Sequence, residues 1–374
     1  MNSSYEQKHP LYAASFTKRR KAMDLYEGGE RIEGNRAYLT RHTYESDKQY
    51  DIRASRDTYR NFAAPIVDVF ASFINEGRPE RILPDALRPI EADADRYGMT
   101  ADAFFADVTR LAAAGGARFV IVDMEQKKGE TVAEDRASGR RMTPYFTSIS
   151  PDDVWDWGMD AKGLAWAVVH SEELEHPAAF AAPLRYETLT VLTRDSWTRY
   201  RRPMKDKENT EYAIAEDGER RHGLGAVPLV PFLFEPTSPM TGLPATDDVL
   251  SLILRIYRRD SELDKMLFDQ AVPLLNVGGV SQEHWDTFVV ASSNALMSTE
   301  PGGITAQYVE PSGTAFQAQA EALARDEASV REIALRMVRP QSAESKAIDK
   351  TQLDTQLASF ARRSGSAEAL CWKI

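Results

Sequence analysis

Two long amphipathic segments, 247–271 and 313–338, constrain this chain most, because each is closed by a proline and a short glycine-containing, strand-like insert separates them. In the first, Val249, Leu252, Ile253, Ile256, Leu263 and Leu267 recur at steps of three and four, which lines them along one helix face. Arg255, Arg258, Arg259 and Lys265 fall on other faces. Thr246 or Asp247 can cap the start, and Pro273 stops the helix. The second segment begins after Ser312, repeats the spacing with Phe316, Ala320, Leu323, Val330, Ile333, Ala334 and Met337, and ends at Pro340. A polar loop follows, Gln341-Ser342-Ala343-Glu344-Ser345, and then a third helical stretch from about Lys346. Helix, insert, returning helix and polar loop make a mechanical layout more than a catalytic one.

Upstream, residues 1–45 show weak periodicity and predict a peripheral arm with one short helix near 15–26. Residues 46–75 predict a helix through Tyr59, Phe62, Ile66, Val69, Phe70 and Phe73, kinked or restarted at Pro65 and closed by Gly77. A further helix over 100–114, capped by Thr100, presents Phe104, Phe105, Val108 and Leu111. Gly115-Gly116 then turns the chain into the β-branched run Arg118–Met124, a buried strand. Residues 125–142 read as an exposed hairpin or loop, and 144–234 as strand-rich. Pro228 and Pro231 confine the last of these strands to an edge or an extended connector. The order predicts an α+β fold without βαβ alternation, which disfavours a dinucleotide fold.

With 374 residues, 43% of them hydrophobic, the chain can build one large or two medium cores. A single cysteine, Cys371, rules out an internal disulfide framework. No basic-then-apolar leader and no apolar run near 18 residues is present, so the expectation is synthesis in a reducing cytoplasm with no membrane partner.

Net charge is −11, against a simple nucleic-acid binder, and it is unevenly spread. Residues 1–60 carry 12 basic and 9 acidic side chains, residues 336–374 carry 7 and 4, and the middle carries 27 and 44. An acidic solvated surface that keeps the chain soluble accounts for this.

Catalytic spacing is sparse. The best candidate is the acidic aromatic run Asp152-Asp153-Val154-Trp155-Asp156-Trp157-Gly158-Met159-Asp160, where close carboxylates could hold a hard cation or work as an acid/base pair. It lacks the regular D-x-D-x-D-G loop, so the competing reading is a structural turn. The histidines are scattered with no zinc spacing, and the Gly-Gly pairs at 115, 278 and 302 are followed by neither Lys-Ser nor Lys-Thr. Ser364-Gly365-Ser366 reads as a polar helix end, not a nucleophile elbow. Arg19, Arg20, Lys21, Arg362 and Arg363 remain as basic candidates for nucleic-acid contact, or as solvated charges.

Taken in order, several segments resemble the portal proteins of tailed bacteriophages, closest to a phage portal-like group of DUF4055 type. They are "LYEGGERI" at 25–32, "TYRNFAAPIVDVFASFINEGRP" within 51–78, "PYFTSISPDDVWDWGMD" at 144–160, "TDDVLSLILRIYRRDSELDKMLFDQAVPLLNVGG" at 246–279 and "SAESKAIDKTQLDTQLASFARRS" at 342–364. None is a catalytic signature; specificity lies in the series.

The resemblance implies a portal fold: an N-terminal arm (1–45), a wing of helices and a β-rich block (46–236), a stem helix (246–271), a small α/β clip (272–312), a returning helix (313–338), a tunnel loop (339–347) and the start of a short helical crown (348–374). It implies a non-enzymatic, cofactor-free structural protein, twelve copies of which ring one capsid vertex of the virion around a channel for double-stranded DNA packaging and ejection. Assembly would take place in the bacterial host cytoplasm. Implied partners are further copies, the major capsid protein, terminase, a head–tail adaptor and scaffold. Leu252, Ile253, Ile256, Leu263 and Leu267 would pack the stem, and Arg339, Gln341, Ser342, Glu344, Ser345 and Lys346 would line the tunnel loop. The acidic middle then gains a second reading, a channel wall that repels phosphate. Such portals usually continue well beyond the position of Trp372, so a short crown or a truncated chain is expected. A metal-dependent hydrolase using Asp152, Asp153 and Asp156, or an adaptor that forms no ring, are the alternatives.

Overall fold

A computed structural model describes residues 5–75, 77, 79–125, 131–137, 143–204, 211–270, 274–278, 305–309, 314–336 and 343–374. The chain divides into two compact units, one of Met1–Arg31, Asn61–Leu250 and Ile333–Ile374, the other of Ile32–Arg60 and Ser251–Glu332. It is a mixed α+β fold with antiparallel sheets.

In the first unit, helix α1 (Pro10–Glu27) opens with proline at its first position, where no backbone donor is needed. The His9 ring accepts the Leu11 N–H at 3.1 Å and caps it. At 18 residues α1 is longer than the short helix expected near 15–26, and it is no loose arm: Tyr12, Ala22 and Leu25 are buried. Its periodicity is weak because Arg19 and Asp24 share the buried face, each paired with an opposite charge. Helices α3 (Ala63–Ile74) and α5 (Ala101–Gly115) pack on α1 and on each other. Thr100 caps α5 as expected. Gly116 then turns the chain at φ 83, and a Cβ there would collide with the Gly242 carbonyl, so only glycine fits.

The following run forms strand β1 (Ala117–Asp123), central in a sheet of order β2–β1–β8 with β2 (Tyr145–Ile149) and β8 (Leu229–Leu233). Strand β8 is an edge strand, as Pro231 within it requires. A second sheet is a five-stranded antiparallel meander of β3 (Val154–Asp160), β4 (Gly163–Glu175), β5 (Leu184–Thr193), β6 (Ser196–Pro203) and β7 (Ala213–Arg221). Trp155, Trp157, Val169, Leu189, Leu192 and Trp197 form one core with Tyr12, Phe119 and Leu229. Small elements complete the unit: α4 (Pro89–Ala92), α6 (Val132–Ala137), β9 (Glu235–Ser238) and β10 (Thr241–Leu243).

The second unit contains α2 (Asp47–Arg56), opened by a full capping box of Ser46 and Gln49. The helical stretch expected over 46–75, kinked or restarted at Pro65, is two helices. The break falls at 57–62 rather than at Pro65, which sits harmlessly in the first turn of α3. The long segments form α7 (Leu250–Gln270) and α8 (Thr314–Arg336). Of the insert between them, β11 (Leu274–Gly278) and β12 (Thr305–Val309) are described and pair antiparallel, Leu274 opposite Val309.

Helix α9 (Ala343–Lys373) returns to the first unit, where it packs on β8 and α3. Phe360 meets Phe234 edge-on at 4.6 Å and Trp372 meets Phe146 at 5.1 Å. Ser364-Gly365-Ser366 lies inside this helix, not at a helix end, with Ser364 buried. Polar composition alone had marked a terminus that the burial of neighbouring Phe360 and Cys371 removes. Among the described residues no helix is long and apolar enough to cross a membrane.

Candidate functional site

The most organised polar site in the second unit lies along α7 and α8. One face of α7 buries Ile253, Leu254, Ile256 and Tyr257. Arg255 and Arg259, one turn apart on another face, converge on Asp326 of α8. Arg255 forks onto the carboxylate, Nε–H at 2.9 Å and Nη2–H at 2.7 Å, and Arg259 Nη1 reaches it at 2.5 Å. Gln319 donates to Glu262 at 3.0 Å, and Arg60 bridges Asp260 at 3.0 Å and Glu327 at 2.7 Å. Forked charge-assisted bonds fix direction as well as distance, so the two helices are registered by polar bridges.

A second network anchors α7 from beneath. Arg53 of α2 pairs with Glu45, gives Nη2–H to the Thr40 carbonyl at 2.8 Å and faces Ser261 Oγ at 3.4 Å. The Arg53 hydrogen bonds hold the Glu45 carboxyl below its ordinary range. Tyr257 donates to the Ile32 carbonyl at 2.8 Å and also meets the Asp57 carboxylate. Burial raises the Asp57 carboxyl even though Tyr257 and the Gly34 N–H bond to it, and burial with Asp57 raises the Tyr257 phenol. Sequence reading missed Glu45, Arg53, Asp57 and Asp326. Glu45 and Arg53 are only 8 residues apart but fit no motif spacing, and the other contacts are long-range, 200 residues for Tyr257–Asp57 and 208 for Arg53–Ser261.

The five residues expected to pack the stem are treated unequally. Ile253 and Ile256 are buried, Leu252 and Leu263 are half-buried, and Leu267 is 50% exposed. The apolar stripe outruns its cover at the C-terminal end of α7, where Phe268 is also exposed and carries the Arg56 guanidinium 3.9 Å over its ring.

For the tunnel-loop residues, Arg339, Gln341 and Ser342 lie outside the described residues, as does most of the 272–312 insert. Glu344, Ser345 and Lys346 fall in the first turn of α9, which starts at Ala343, three residues before the expected helix start.

The acidic aromatic run is β3 and the turn before it. The Asp152 carboxylate pairs with Arg19 at 3.1 Å, and its carbonyl accepts the Tyr12 hydroxyl at 3.0 Å. Burial foremost, with Asp152 beside it, pushes the Tyr12 phenol up to about 12. Asp153 stands 3.7 Å from His170, Asp156 accepts the Trp157 N–H at 2.9 Å, and Asp160 is forked by Arg194 at 2.7 Å. Arg194 holds the Asp160 carboxyl down to about 2. Each carboxylate thus has its own local partner. Among the described residues no three His, Cys, Asp or Glu converge to hold a metal ion. Of the basic candidates, Arg19 is buried, Arg20 lies 3.6 Å from Asp24, Arg363 donates to the Phe234 carbonyl and Arg362 is exposed.

Residues 248–369 match a family described as a domain of unknown function (DUF4055). No curated protein matches the chain. Among solved structures the fold is similar to a chain from the virion of a native gene transfer agent (GTA) particle, at 14% identity and a TM-score of 0.37, over 86% of this chain and 73% of that one. It is also similar to chains from the neck of the empty particle computed with C6 symmetry (14% identity, TM-score 0.35, 72% of this chain and 64% of that one) and of the native particle computed with C12 symmetry (14%, 0.34, 73% and 63%). The chain spans less than two thirds of the length of these last two.

Proposed function

We propose that this chain is a portal-type structural subunit, one copy in a ring that surrounds a channel for double-stranded DNA. The carrying observation is the pairing of α7 with α8 across the insert, with Asp326 clamped by Arg255 and Arg259. A helix that leaves, an insert and a helix that returns in fixed register form a strut, and struts side by side around an axis make a stem. Support comes also from the ordered series of portal-like segments, which is densest where the DUF4055 match falls.

In this reading α7 and α8 are the stem helices, 272–312 the clip that meets terminase and later a head–tail adaptor, and 339–347 the tunnel loop. The β-rich block belongs to the wing, which would meet capsid protein and scaffold. A closed ring, of twelve copies in the particle, needs two different complementary surfaces on every subunit. The test is direct imaging of the purified full chain by negative-stain electron microscopy with mass photometry. Rings of about twelve subunits are the expected result; a 42 kDa monomer at every concentration and salt tried overturns the reading.

A further inference from the structure

The β4–β5 hairpin ends in a turn of unusual composition, His176-Pro177-Ala178-Ala179-Phe180-Ala181-Ala182-Pro183. Phe180 is fully exposed at 109%, so it rests on nothing among the described residues. Its backbone stands at φ 65, a region a bulky aromatic enters against steric resistance. Two prolines bracket the turn and the Ala181 N–H closes it on the Ala178 carbonyl at 3.2 Å, so the ring is presented by a stiffened loop. Leu174 (59% exposed) and Leu184 (38%) lie on opposite faces of the strands below it, since Leu174 pairs across from Arg185 and Leu184 from Glu175. Below them Glu172 is exposed with no cation partner among the described residues, whereas Glu173 and Glu175 pair with Arg199 and Arg201. Arg185 lies across from Leu174.

Elsewhere in the same unit, β8 and α9 enclose an open groove of about 390 Å³, lined chiefly by Val230, Pro231, Leu233, Pro236, Ala367 and Leu370. Arg362 and Arg363 stand at its edge. Arg363 is engaged with the Phe234 carbonyl, while Arg362 is exposed, has no carboxylate partner among the described residues and bonds only the Ala358 carbonyl of its own helix.

We propose that the Phe180 hairpin of one copy seats in the β8–α9 groove of a second copy, with Glu172 facing Arg362. Three features select this occupant: an uncharged knob, an apolar groove of side-chain size, and two opposite charges without an ion-pair partner among the described residues, Glu172 on the hairpin, beyond Arg185 from the tip, and Arg362 at the groove's edge. In the proposed ring each copy's knob serves one neighbour and its groove the other, so the contact is heterologous. The inference rests on the ring reading for its closure. One phenylalanine covers roughly 150–250 Å², far less than the ~1,000 Å² a stable pair needs. A single contact is therefore weak and counts when every copy both gives and receives.

The test places photoreactive benzoylphenylalanine at position 180 of the full chain, irradiates across a concentration series, and maps crosslinks by peptide mass spectrometry. Intermolecular crosslinks from 180 to 230–236 or 362–370 are expected. Phe180→Gly, which relieves the backbone, should leave the circular dichroism spectrum unchanged and raise the concentration for half-assembly about tenfold. Glu172→Arg or Arg362→Glu alone should weaken assembly, and the pair together restore it. Rings whose position 180 crosslinks elsewhere or to nothing overturn the pairing while the ring reading stands. Open oligomers with the predicted crosslink support the pairing and remove the closed ring. A monomer without intermolecular crosslinks removes both.

Discussion

Arg53 and Glu45 form an ion pair in which each side chain is only 3% exposed, with Nη2 and Oε2 2.8 Å apart. Two charges can be held out of water only where the fork is satisfied, and here the Thr40 carbonyl and Ser261 take up two of the three donors not given to Glu45. Glu45→Ala strands a buried guanidinium and should cost about 3–5 kcal/mol. Urea denaturation at neutral pH measures this, and replacing both partners by apolar residues of similar volume should cost much less.

The same pair sets an acid response. Glu45 is lowered from 4.5 by its Arg53 hydrogen bonds, so its contribution is complete above 4.5 and is lost as pH falls through the lower folded value. Asp57 is raised from 3.8 by burial, so its contribution has the opposite sign: present below 3.8 and lost as pH rises through the folded value. Glu45→Gln should flatten the loss of stability on acidification through the low fours, and Asp57→Asn should steepen it. Denaturation midpoints followed from pH 6 to pH 3 distinguish the two slopes.

Asp326 is the shared acceptor of Arg255 and Arg259, so Asp326→Asn leaves two guanidiniums facing each other across a weaker acceptor. Arg255 is 55% exposed and its arm is screened by water. The expected loss is therefore about 1–2 kcal/mol rather than the figure for a fully buried pair. Hydrogen exchange should quicken in both α7 and α8; faster exchange in one helix alone would mean the clamp does not register them.

Ile256 and Leu267 belong to one apolar stripe in the sequence but not to one environment, being 2% and 50% exposed. Ile256→Asp buries a charge and should cost several kcal/mol. Leu267→Asp should stay within about 0.5 kcal/mol in the isolated chain. If Leu267→Asp nevertheless prevents ring formation, its face is covered by a neighbour in the assembly; sedimentation beside thermal unfolding separates the two effects.

What the sequence made legible is what local periodicity encodes. The long helices, Thr100 as a cap, the β1 run and the edge position of β8 follow from spacing, capping chemistry and proline. The length of helix α1 is not legible in the sequence because two satisfied charges, Arg19 and Asp24, share its buried face and break the apolar pattern. The anchors of α7 were not legible, since Tyr257–Asp57 and Arg255–Asp326 are long-range pairs that leave no mark on local spacing. Local spacing likewise placed Leu267 with Ile256, because a stripe shows which face is apolar and not how far a neighbour covers it.

The remaining prediction concerns the segment after α8 and follows from the proposed channel. An acidic channel wall should bind duplex DNA weakly and release it with modest salt, because affinity for phosphate depends on Lys and Arg. Arg339→Ala, or deletion of 342–345, should leave rings intact in electron micrographs while altering packaging rate or DNA retention. Glu344→Lys acts at two levels. It puts a cation where phosphate would pass, and it replaces an acidic residue in the first turn of α9, which the helix dipole disfavours by roughly 0.3–1 kcal/mol. Glu344→Gln removes the favourable dipole interaction without adding a positive charge, and unfolding midpoints of both variants show how much of any slowed DNA movement in Glu344→Lys comes from the helix end. Particles packaged at normal rate and density with both Arg339→Ala and Glu344→Lys would reduce this segment to a connector between α8 and α9.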